Sequence, residues 1–338
     1  MSKTTTIGLD LAKNVFHMVC CDEHGKVVRK KMLRRSQLME YFANLAECLV
    51  GMEACSSAHH WARELGALGH QVKLIPPQYV KAYVRGNKND YNDALAIAEA
   101  VTRPEMRFVP VKTTEQQDIQ ALHRLREKRL QDRTALCNQL RGLLAEYGLI
   151  FPQGVDLLRR SLPALLEDGE NGLSDLFRQL LAEGYQQLQE LDGHIEYYTE
   201  EMKRQSQRDE ACRRLQTIPG YGPIVASVFH CVIGNGEAYR RGRDVSASLG
   251  LVPRQHSSGG KEVLLGISKR GDRYLRSLLV HGARSVVIQA AKKDDRLSRW
   301  INNLRAERGF NKATVALANK MARIGWAVLA NKTTYQVA

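Results

Sequence analysis

The first hundred residues alternate short β-branched segments with amphipathic segments, and this alternation restricts the fold more than any other feature of the chain. Apolar runs over 5–10, 15–21 and 27–33 have the length and composition of strands. Helical patterns then alternate with two further strand-like runs, 48–52 and 71–75. The order βββαβαβα predicts a mixed sheet flanked by helices.

Four carboxylates stand at the ends of these predicted elements. Asp10 ends the first strand and Glu53 ends the fourth, while Asp90 and Asp93 share one face of a helix over 90–101. If the first and fourth strands are neighbours, the strand-end carboxylates meet and the helical pair closes over them. Crowded carboxylates need cations, and oxygen-only ligands select Mg²⁺, or Mn²⁺ in its place, for phosphoryl displacement. Taken singly, each residue also fits a helix cap or a strand end.

The central region, residues 111–210, is predicted to be helical and to contain a coiled coil. A first helix begins at Thr114 and ends near Tyr147. In a second helix, apolar residues recur at heptad spacing, with one weak position at Gly184: Leu173, Phe177, Leu180, Gly184, Leu188, Leu191, Ile195, Tyr198 and Met202. Such a narrow seam needs a partner helix. The sequence leaves open an intramolecular hairpin with the first helix and a subunit interface.

Charge divides the 338-residue chain into three regions. The formal net charge of +14 resolves into +4 for 1–110, −5 for 111–210 and +15 for 211–338. A positive excess in the last third is typical of a nucleic-acid-binding domain, because Lys and Arg displace counterions from phosphates. A solvated basic surface is the alternative. We expect three domains with these boundaries.

Several protein classes do not fit the sequence. The seven cysteines form no CxxC pair and no Cys/His cluster at zinc spacing, which disfavours a disulfide framework or structural zinc. No apolar run approaches the roughly 18 residues of a membrane span, and the N-terminus lacks the apolar core of a signal peptide. We therefore expect a cytoplasmic protein with no membrane partner.

One glycine-containing motif in the last third is a candidate for contact with nucleic acid. LQTIPGYG over 215–222, followed by PIVA, matches the helix-hairpin-helix pattern, in which Gly220 and Gly222 let backbone N–H groups approach a phosphate. Such a turn contacts the nucleic-acid backbone and reads no base sequence. An ordinary turn between two packed helices is the alternative.

A second motif is the serine loop LVPRQHSSGGK over 251–261, which is followed by GISKRGDR over 266–273. Either Ser257 or Ser258 would present a hydroxyl to a phosphodiester there. Basic residues bracket the loop and would stabilise a pentacoordinate phosphate: Arg254, Lys261, Lys269, Arg270 and Arg273. Ser-Ser-Gly-Gly is equally the composition of a plain turn, so these residues alone do not assign a nucleophile.

Together these motifs resemble a known family. IGLDLAK, GMEA and KNDYNDA are similar to the sheet of the retroviral-integrase and ribonuclease-H superfamily, in the RuvC-like version of Holliday-junction resolvases. The spacing Asp, Glu, Asp-x-x-Asp resembles the DEDD transposases of bacterial insertion sequences, the "IS one-ten" family. GMEACSSAHHW resembles its "IS eleven-eleven" group, with Ala-Cys-Ser where Ala-Thr-Gly is more common. The resemblance covers nearly the whole chain in family order.

The resemblance implies a RuvC-like catalytic domain over 1–110, coiled-coil helices over 111–210 and a helical transposase domain over 211–338. It implies a transposase whose catalytic Mg²⁺ ligands are Asp10, Glu53, Asp90 and Asp93. In the family's Pro-Arg-x-x-x-Ser-Gly loop the serine is the recombinase nucleophile. The residue before the glycine here is Ser258, and Ser257 occupies a position that varies in the family.

The resemblance also implies partners. They are donor and target DNA, a structured noncoding guide RNA (a bridge RNA) that pairs with both, and further copies of the chain in a tetramer assembled from dimers. A nucleoid-associated place in the bacterial cytoplasm follows. An aromatic content of only 7% agrees with leaving sequence choice to base pairing. The alternatives are a metal-dependent Holliday-junction endonuclease that uses the carboxylates alone, and a non-catalytic nucleic-acid scaffold.

Overall fold

The computed structural model describes residues 4–87 and 89–336; Lys88, the first residue of the KNDYNDA motif, lies outside them. The chain divides into two compact units. The sheet unit is Met1–Gln116 with Ile233–Arg240, and the helical unit is Gln117–Val232 with Arg241–Ala338. Most of the predicted central and C-terminal regions fall in one unit, and their functional division into separate domains stays a prediction.

In its described residues, the sheet unit has five strands and four α-helices, which follow the predicted order except that the short helix α3 is additional: β1 (Thr6–Leu11), β2 (Val15–Cys21), β3 (Val27–Arg34), α1 (Leu38–Ala43), β4 (Leu49–Glu53), α2 (Ala58–Ala67), β5 (Gln71–Ile75), α3 (Pro77–Val80) and α4 (Asp90–Val101). The strand order in the sheet is β3-β2-β1-β4-β5. Pairing is antiparallel among the first three and parallel from β1 to β5. The mixed sheet is confirmed, and β1 and β4 are neighbours.

Each face of the sheet is covered by helices. Buried Phe16 of β2 packs with Phe42 of α1 and Trp61 of α2 on one face. Burial of each such side chain contributes roughly 1.5–3 kcal/mol. Side chains alternate along β1, so Gly8 and Asp10 point to the opposite face, where α4 lies.

The helix α4 contacts the strands backbone to backbone. A Cβ atom at Gly8 would lie 1.9 Å from the carbonyl oxygen of Ala94 and 2.5 Å from the backbone nitrogen of Ala98. On β4, a Cβ at Gly51 would lie 2.8 Å from Cβ of Val101. Only glycine permits this approach, which carries the N-terminus of α4 over the end of β1.

We predict that Gly8→Ala displaces α4 and lowers the free energy of unfolding by about 3 kcal/mol, the upper end for overpacking a core. Urea unfolding followed by circular dichroism measures the change. The control is Gly66→Ala on the exposed side of α2, where a Cβ meets nothing within 4 Å. That control should leave stability unchanged or raise it by about 0.5–1 kcal/mol. Equal stabilities for the two variants would contradict the contact.

The described residues of the helical unit form nine α-helices and one β-hairpin: α5 (Thr114–Ala145), α6 (Val155–Glu167), α7 (Asp175–Arg208), α8 (Glu210–Leu215), α9 (Pro223–Ile233), α10 (Gly242–Ser248), β6 (Pro253–Gln255), β7 (Leu264–Ile267), α11 (Arg273–Ala290), α12 (Arg296–Arg308) and α13 (Phe310–Ala330). Among the described helices of the whole chain, none combines the length and the apolar character that a membrane span requires.

The long helices α5 and α7 pack against each other within one chain. Leu140 and Leu144 of α5 share a buried cluster with Leu181 and Leu188 of α7. Gly184 is a close-packing position, because a Cβ there would lie 2.7 Å from Cδ2 of Leu140. The intramolecular pairing left open by the sequence is therefore present, while supercoiling and any subunit pairing stay predictions.

Two positions of the predicted seam differ in the structure. Leu173 is buried but precedes the first residue of α7, and the seam position assigned to Leu180 is wrong. Leu180 is 53% exposed, and Leu181 is buried in its place. With Leu181, the seam positions of α7 alternate steps of four and three from Phe177 to Met202, and each of them is buried or half-buried. An unbroken alternation keeps one face of a helix on its partner. The apolar side chain at 180 therefore lies on the outer face.

A buried polar network joins α5, α9 and α11. His123 lies 3.0 Å from the hydroxyl oxygens of both Ser227 and Tyr274. The Ser227 hydroxyl donates to the carbonyl oxygen of Ile224, so it accepts from Nε2–H of His123, and Tyr274 donates to Nδ1. Burial, with a smaller contribution from Arg126, lowers the pKa of His123 to about 4. The ring is therefore neutral at pH 7.

We predict that His123 makes the protein less stable as the pH falls from 7 to 5. In that range the unfolded chain protonates this ring, with a pKa of 6.5, and the folded chain does not. Stability is retained above 6.5 and falls by about 2 kcal/mol by pH 5. In urea unfolding, His123→Gln should not show this loss of stability between pH 7 and 5. His281→Gln changes a histidine that is exposed and should still show it. Parallel pH profiles for wild type and His123→Gln would contradict the assignment.

Candidate functional site

Three of the four predicted carboxylates come together at the end of β1. One carboxylate oxygen from each of Asp10, Asp90 and Asp93 lies within 4.8 Å of the others. Asp90 and Asp93 occupy the first turn of α4, where the helix dipole favours negative charge. The side chain of Asn89 fixes that turn by accepting from the backbone N–H of Tyr91 at 2.9 Å. The i,i+3 spacing therefore directs both helical carboxylates to Asp10.

The charges in this cluster repel one another. Burial, followed by the charges of Asp93, Asp90 and Glu53, raises the pKa of Asp10 to about 6. Burial and the charge of Asp93 also raise the pKa of Glu53. Glu53 lies at the end of β4 next to β1, outside the group of three but within its field. Oxygen donors that crowd at this density match the ligand preference of a divalent cation such as Mg²⁺.

His17 belongs to the same site, although none of the sequence motifs includes it. Its Nδ1 lies 3.3 Å from a carboxylate oxygen of Asp90, and its ring edge contacts Tyr91 at 4.9 Å between centroids. In the hairpin of β1 and β2, His17 is the pairing partner of Asp10. The short connection between the two strands fixes that register, so the hairpin itself carries the signal for His17.

The thiol of Cys55 lies close enough to the carboxylates to feel their charge. Burial raises its pKa, and the charges of Glu53 and Asp10 raise it further. Cys55 is therefore a neutral thiol at pH 7. Its position two residues after Glu53 places the GMEAC motif beside the carboxylates.

The serine loop is the tip of the hairpin formed by β6 and β7. The backbone N–H of Lys261 donates to the carbonyl oxygen of Ser258 at 3.0 Å. The two residues between them, Gly259 and Gly260, have φ values of +56° and +80°. Two consecutive positive φ values indicate a two-residue type I′ turn. The turn fixes Ser258 at the last position before the tip.

The hairpin distinguishes the two serines. The hydroxyl of Ser257 accepts from Nε2 of Gln255 at 3.1 Å and from the backbone N–H of Val263 at 3.4 Å. Within the described part of the chain, the exposed hydroxyl of Ser258 has no hydrogen-bond partner. Ser258 is thus the serine whose hydroxyl is available to a ligand.

The predicted cations divide between the two ends of the hairpin. Lys261 adjoins the tip, and the other four lie at or just beyond the base: Arg254, Lys269, Arg270 and Arg273. At the base Pro253 pairs with Ile267, five residues before Ser258. An extended strand of that length spans about 16 Å. The hairpin therefore presents one cation beside the hydroxyl and a separate basic group at its base.

The base of the hairpin is anchored to the helical unit. The pairing of the two strands continues below the hairpin, where the backbone N–H of Ser268 donates to the carbonyl oxygen of Val252 at 2.8 Å. The guanidinium of Arg276, on α11, donates to the carbonyl oxygen of Arg270 at 2.7 Å. The residues from Arg254 to the tip are exposed.

The predicted helix-hairpin-helix turn joins α8 to α9. Gly220 packs inward, because a Cβ there would lie 2.9 Å from the carbonyl oxygen of Gly282 on α11. Gly222 has open space beside its Cα. Contact of either glycine with phosphate stays a prediction, and Gly222 has the room for it.

The family models cover both units. The model DEDD_Tnp_IS110, described as a transposase, matches residues 7–149, which include all four carboxylates. The model of the transposase IS116/IS110/IS902 family matches residues 212–298, which include the turn at Gly220 and the serine hairpin.

Three similar proteins agree with these matches. A "Probable family 20 transposase" of Pseudomonas aeruginosa is 48% identical over 98% of both chains. The "Transposase for insertion sequence element IS1111A" of Coxiella burnetii is 46% identical over 99% of this chain and 92% of its own. The "Transposase for insertion sequence element IS1328" of Yersinia enterocolitica is 43% identical over 99% of both. With relatives of this identity over nearly its full length, the chain belongs to the IS116/IS110/IS902 family of insertion-sequence transposases and is a DNA-processing enzyme.

Proposed function

We propose that this transposase exchanges DNA strands through a covalent intermediate on Ser258. The observation that carries the proposal is the exposed hydroxyl of Ser258 at the tip of the hairpin in the helical unit. No group in the described part of the chain forms a hydrogen bond with this hydroxyl. Its oxygen attacks a DNA phosphorus, the P–O bond to the leaving strand breaks, and that strand's oxygen takes a proton. The hydroxyl of a second strand then attacks the phosphoserine and releases the serine. Each step exchanges one phosphoester for another, so no external energy source is needed.

Asp10, Asp90 and Asp93, with Glu53 beside them, are proposed to hold Mg²⁺, with Mn²⁺ as a substitute. The donor set fits, because it consists of carboxylate oxygens only, and burial, followed by the repulsion among them, raises the pKa of Asp10 to about 6. A bound divalent ion would supply charge stabilisation to phosphate oxygens. Asp90 and Asp93 would fix the position of that ion, because both lie in the first turn of α4.

The proposal extends to the partners. Donor and target DNA bind the helical unit, whose C-terminal region carries the +15 excess, and the residues proposed for contact include Arg254, Lys261, Lys269, Arg270, Arg273, Gly220 and Gly222. A structured guide RNA selects both DNAs, and a tetramer completes each serine site with carboxylates from another subunit. The support for the RNA and the tetramer is the family resemblance in sequence.

The test of the nucleophile is a trapped protein–DNA adduct. Wild-type protein, incubated with its element's ends, its noncoding RNA and Mg²⁺, should give an adduct that survives denaturation. Ser258→Ala should lose it at least a thousandfold, because no other group replaces the attacking oxygen. The matched control is Ser257→Ala, which should retain the adduct.

Two outcomes would contradict the proposal. Full strand cleavage by Ser258→Ala would favour the metal-dependent junction endonuclease, in which water attacks the phosphate. Transposition that survives both Asp10→Ala and Glu53→Ala would reject a catalytic role for the carboxylates.

We predict that Asp93→Asn stabilises the metal-free protein at pH 7. The raised pKa of Asp10 means that the folded chain binds more protons than the unfolded chain between about pH 4 and 6, so stability falls as the pH rises through this range. Loss of the Asp93 charge should raise the free energy of unfolding by about 1 kcal/mol. This gain is smaller than the full pKa shift of Asp10 would give, because the site is open to water, which screens the charges.

Thermal unfolding in EDTA and in Mg²⁺ measures both effects. Asp93→Asn should raise the midpoint in EDTA and abolish the further rise that Mg²⁺ gives the wild type. Glu105→Gln removes an exposed charge of the same unit and should retain the Mg²⁺ response. A full Mg²⁺ response in Asp93→Asn would remove this residue from the metal site.

A further inference from the structure

A large groove lies entirely within the helical unit. Its volume is about 1410 Å³, and residues of β7, α10, α12 and α13 line it. Pockets for single small molecules are usually about 300–1,000 Å³. The groove is therefore large enough for an extended ligand. The serine hairpin forms one wall through Leu264 and Leu265.

The charge of the groove has one sign. Five basic residues line it, and no Asp or Glu is among the described lining residues: Arg241, Arg243, Lys312, Lys320 and Arg323. Arg241 pairs with Asp244 at 3.6 Å, whereas the other four cations form no salt bridge within the described part of the chain. Unneutralised cations along a groove attract a polyanion and follow its phosphates.

The groove also presents aromatic and apolar surface. Trp300 and Trp326 both line it, and Nζ of Lys320 lies 4.6 Å from the centroid of the Trp300 ring. Leu264, on the hairpin wall, is 62% exposed. Indole faces stack on nucleobases of any sequence, and a cation beside an indole is placed to meet the adjoining phosphate.

We propose that this groove binds a single-stranded segment of nucleic acid, with phosphates on Lys312, Lys320 and Arg323 and bases on Trp300. A duplex stacks its bases on each other and offers the indoles no free base face. An unpaired strand of DNA and an unpaired strand of RNA share the required chemistry. The inference goes beyond strand exchange, since binding in the groove does not depend on the Ser258 hydroxyl.

Tryptophan fluorescence can report directly on binding in the groove. Three tryptophans are present, and Trp61 is the one in the sheet unit. The indole N–H of Trp61 is buried without a partner among the described residues, so Trp61→Phe loses no hydrogen bond. In that background all tryptophan emission comes from the groove. Full-length protein is titrated with oligothymidylate, with oligouridylate and with a DNA duplex of the same length.

We expect single strands to quench the emission and the duplex to leave it nearly unchanged. Stronger quenching by oligothymidylate would assign the groove to a DNA strand, and stronger quenching by oligouridylate would assign it to RNA. Quenching by the duplex equal to that by both single strands would overturn the proposal.

Charge-matched variants test the location. Lys312→Ala with Lys320→Ala should weaken single-strand binding about tenfold and reduce the slope of log K against log salt by about 1.4, since each phosphate contact on a single strand contributes about 0.7. Lys292→Ala with Lys293→Ala removes the same charge from the end of α11 and should weaken binding less than twofold. Equal losses in the two pairs would indicate a general basic surface and overturn the proposal.

Stacking is tested separately. Trp300→Ala should weaken binding about tenfold, and Trp300→Phe should restore most of it, because phenylalanine retains a stacking face. Unchanged binding by a folded Trp300→Ala would overturn the stacking. The lysine pair and Trp300→Phe keep the test decisive if Trp300→Ala does not fold. The groove is tested by binding and the nucleophile by the trapped adduct, so failure of the nucleophile proposal and failure of the groove proposal give different results.

Discussion

The backbone contact between α4 and the two central strands is the constraint on which the carboxylate site depends. Gly8 and Gly51 have no side chains, so α4 lies directly on β1 and β4. Its first turn then falls beside Asp10, and the oxygens of Asp90 and Asp93 come within reach of it. The resulting repulsion opposes folding and is tolerated because the glycine and alanine packing beneath it is close. The stability of the sheet unit and the formation of the carboxylate site therefore both depend on the packing of α4.

Much of the sheet unit follows from its sequence. Strand runs, turns and the Asp-x-x-Asp spacing are local signals, and they predict the order of elements and the meeting of Asp10 with α4. His17 is not found in this way, because its role depends on the pairing register of β2 with β1. Leu181 replaces Leu180 for a similar reason: two adjacent leucines fit a heptad equally well until the partner helix selects one.

The helical unit is less predictable because its functional features depend on side-chain direction. Ser257 and Ser258 are chemically identical in the sequence, and only the hairpin shows which hydroxyl is bonded internally. The basic residues of the serine loop are close in sequence, yet the strands separate most of them from the tip. The groove between the hairpin and α13 brings together residues from 241 to 327, so no local motif could reveal it.

The hairpin also sets how far the proposed nucleophile, Ser258, projects from the helices of its unit. It is fixed at its base and extends about 16 Å to the tip. The reach of this proposed nucleophile is set by the number of residues in two strands, and shortening both by two residues would withdraw the hydroxyl by about 7 Å.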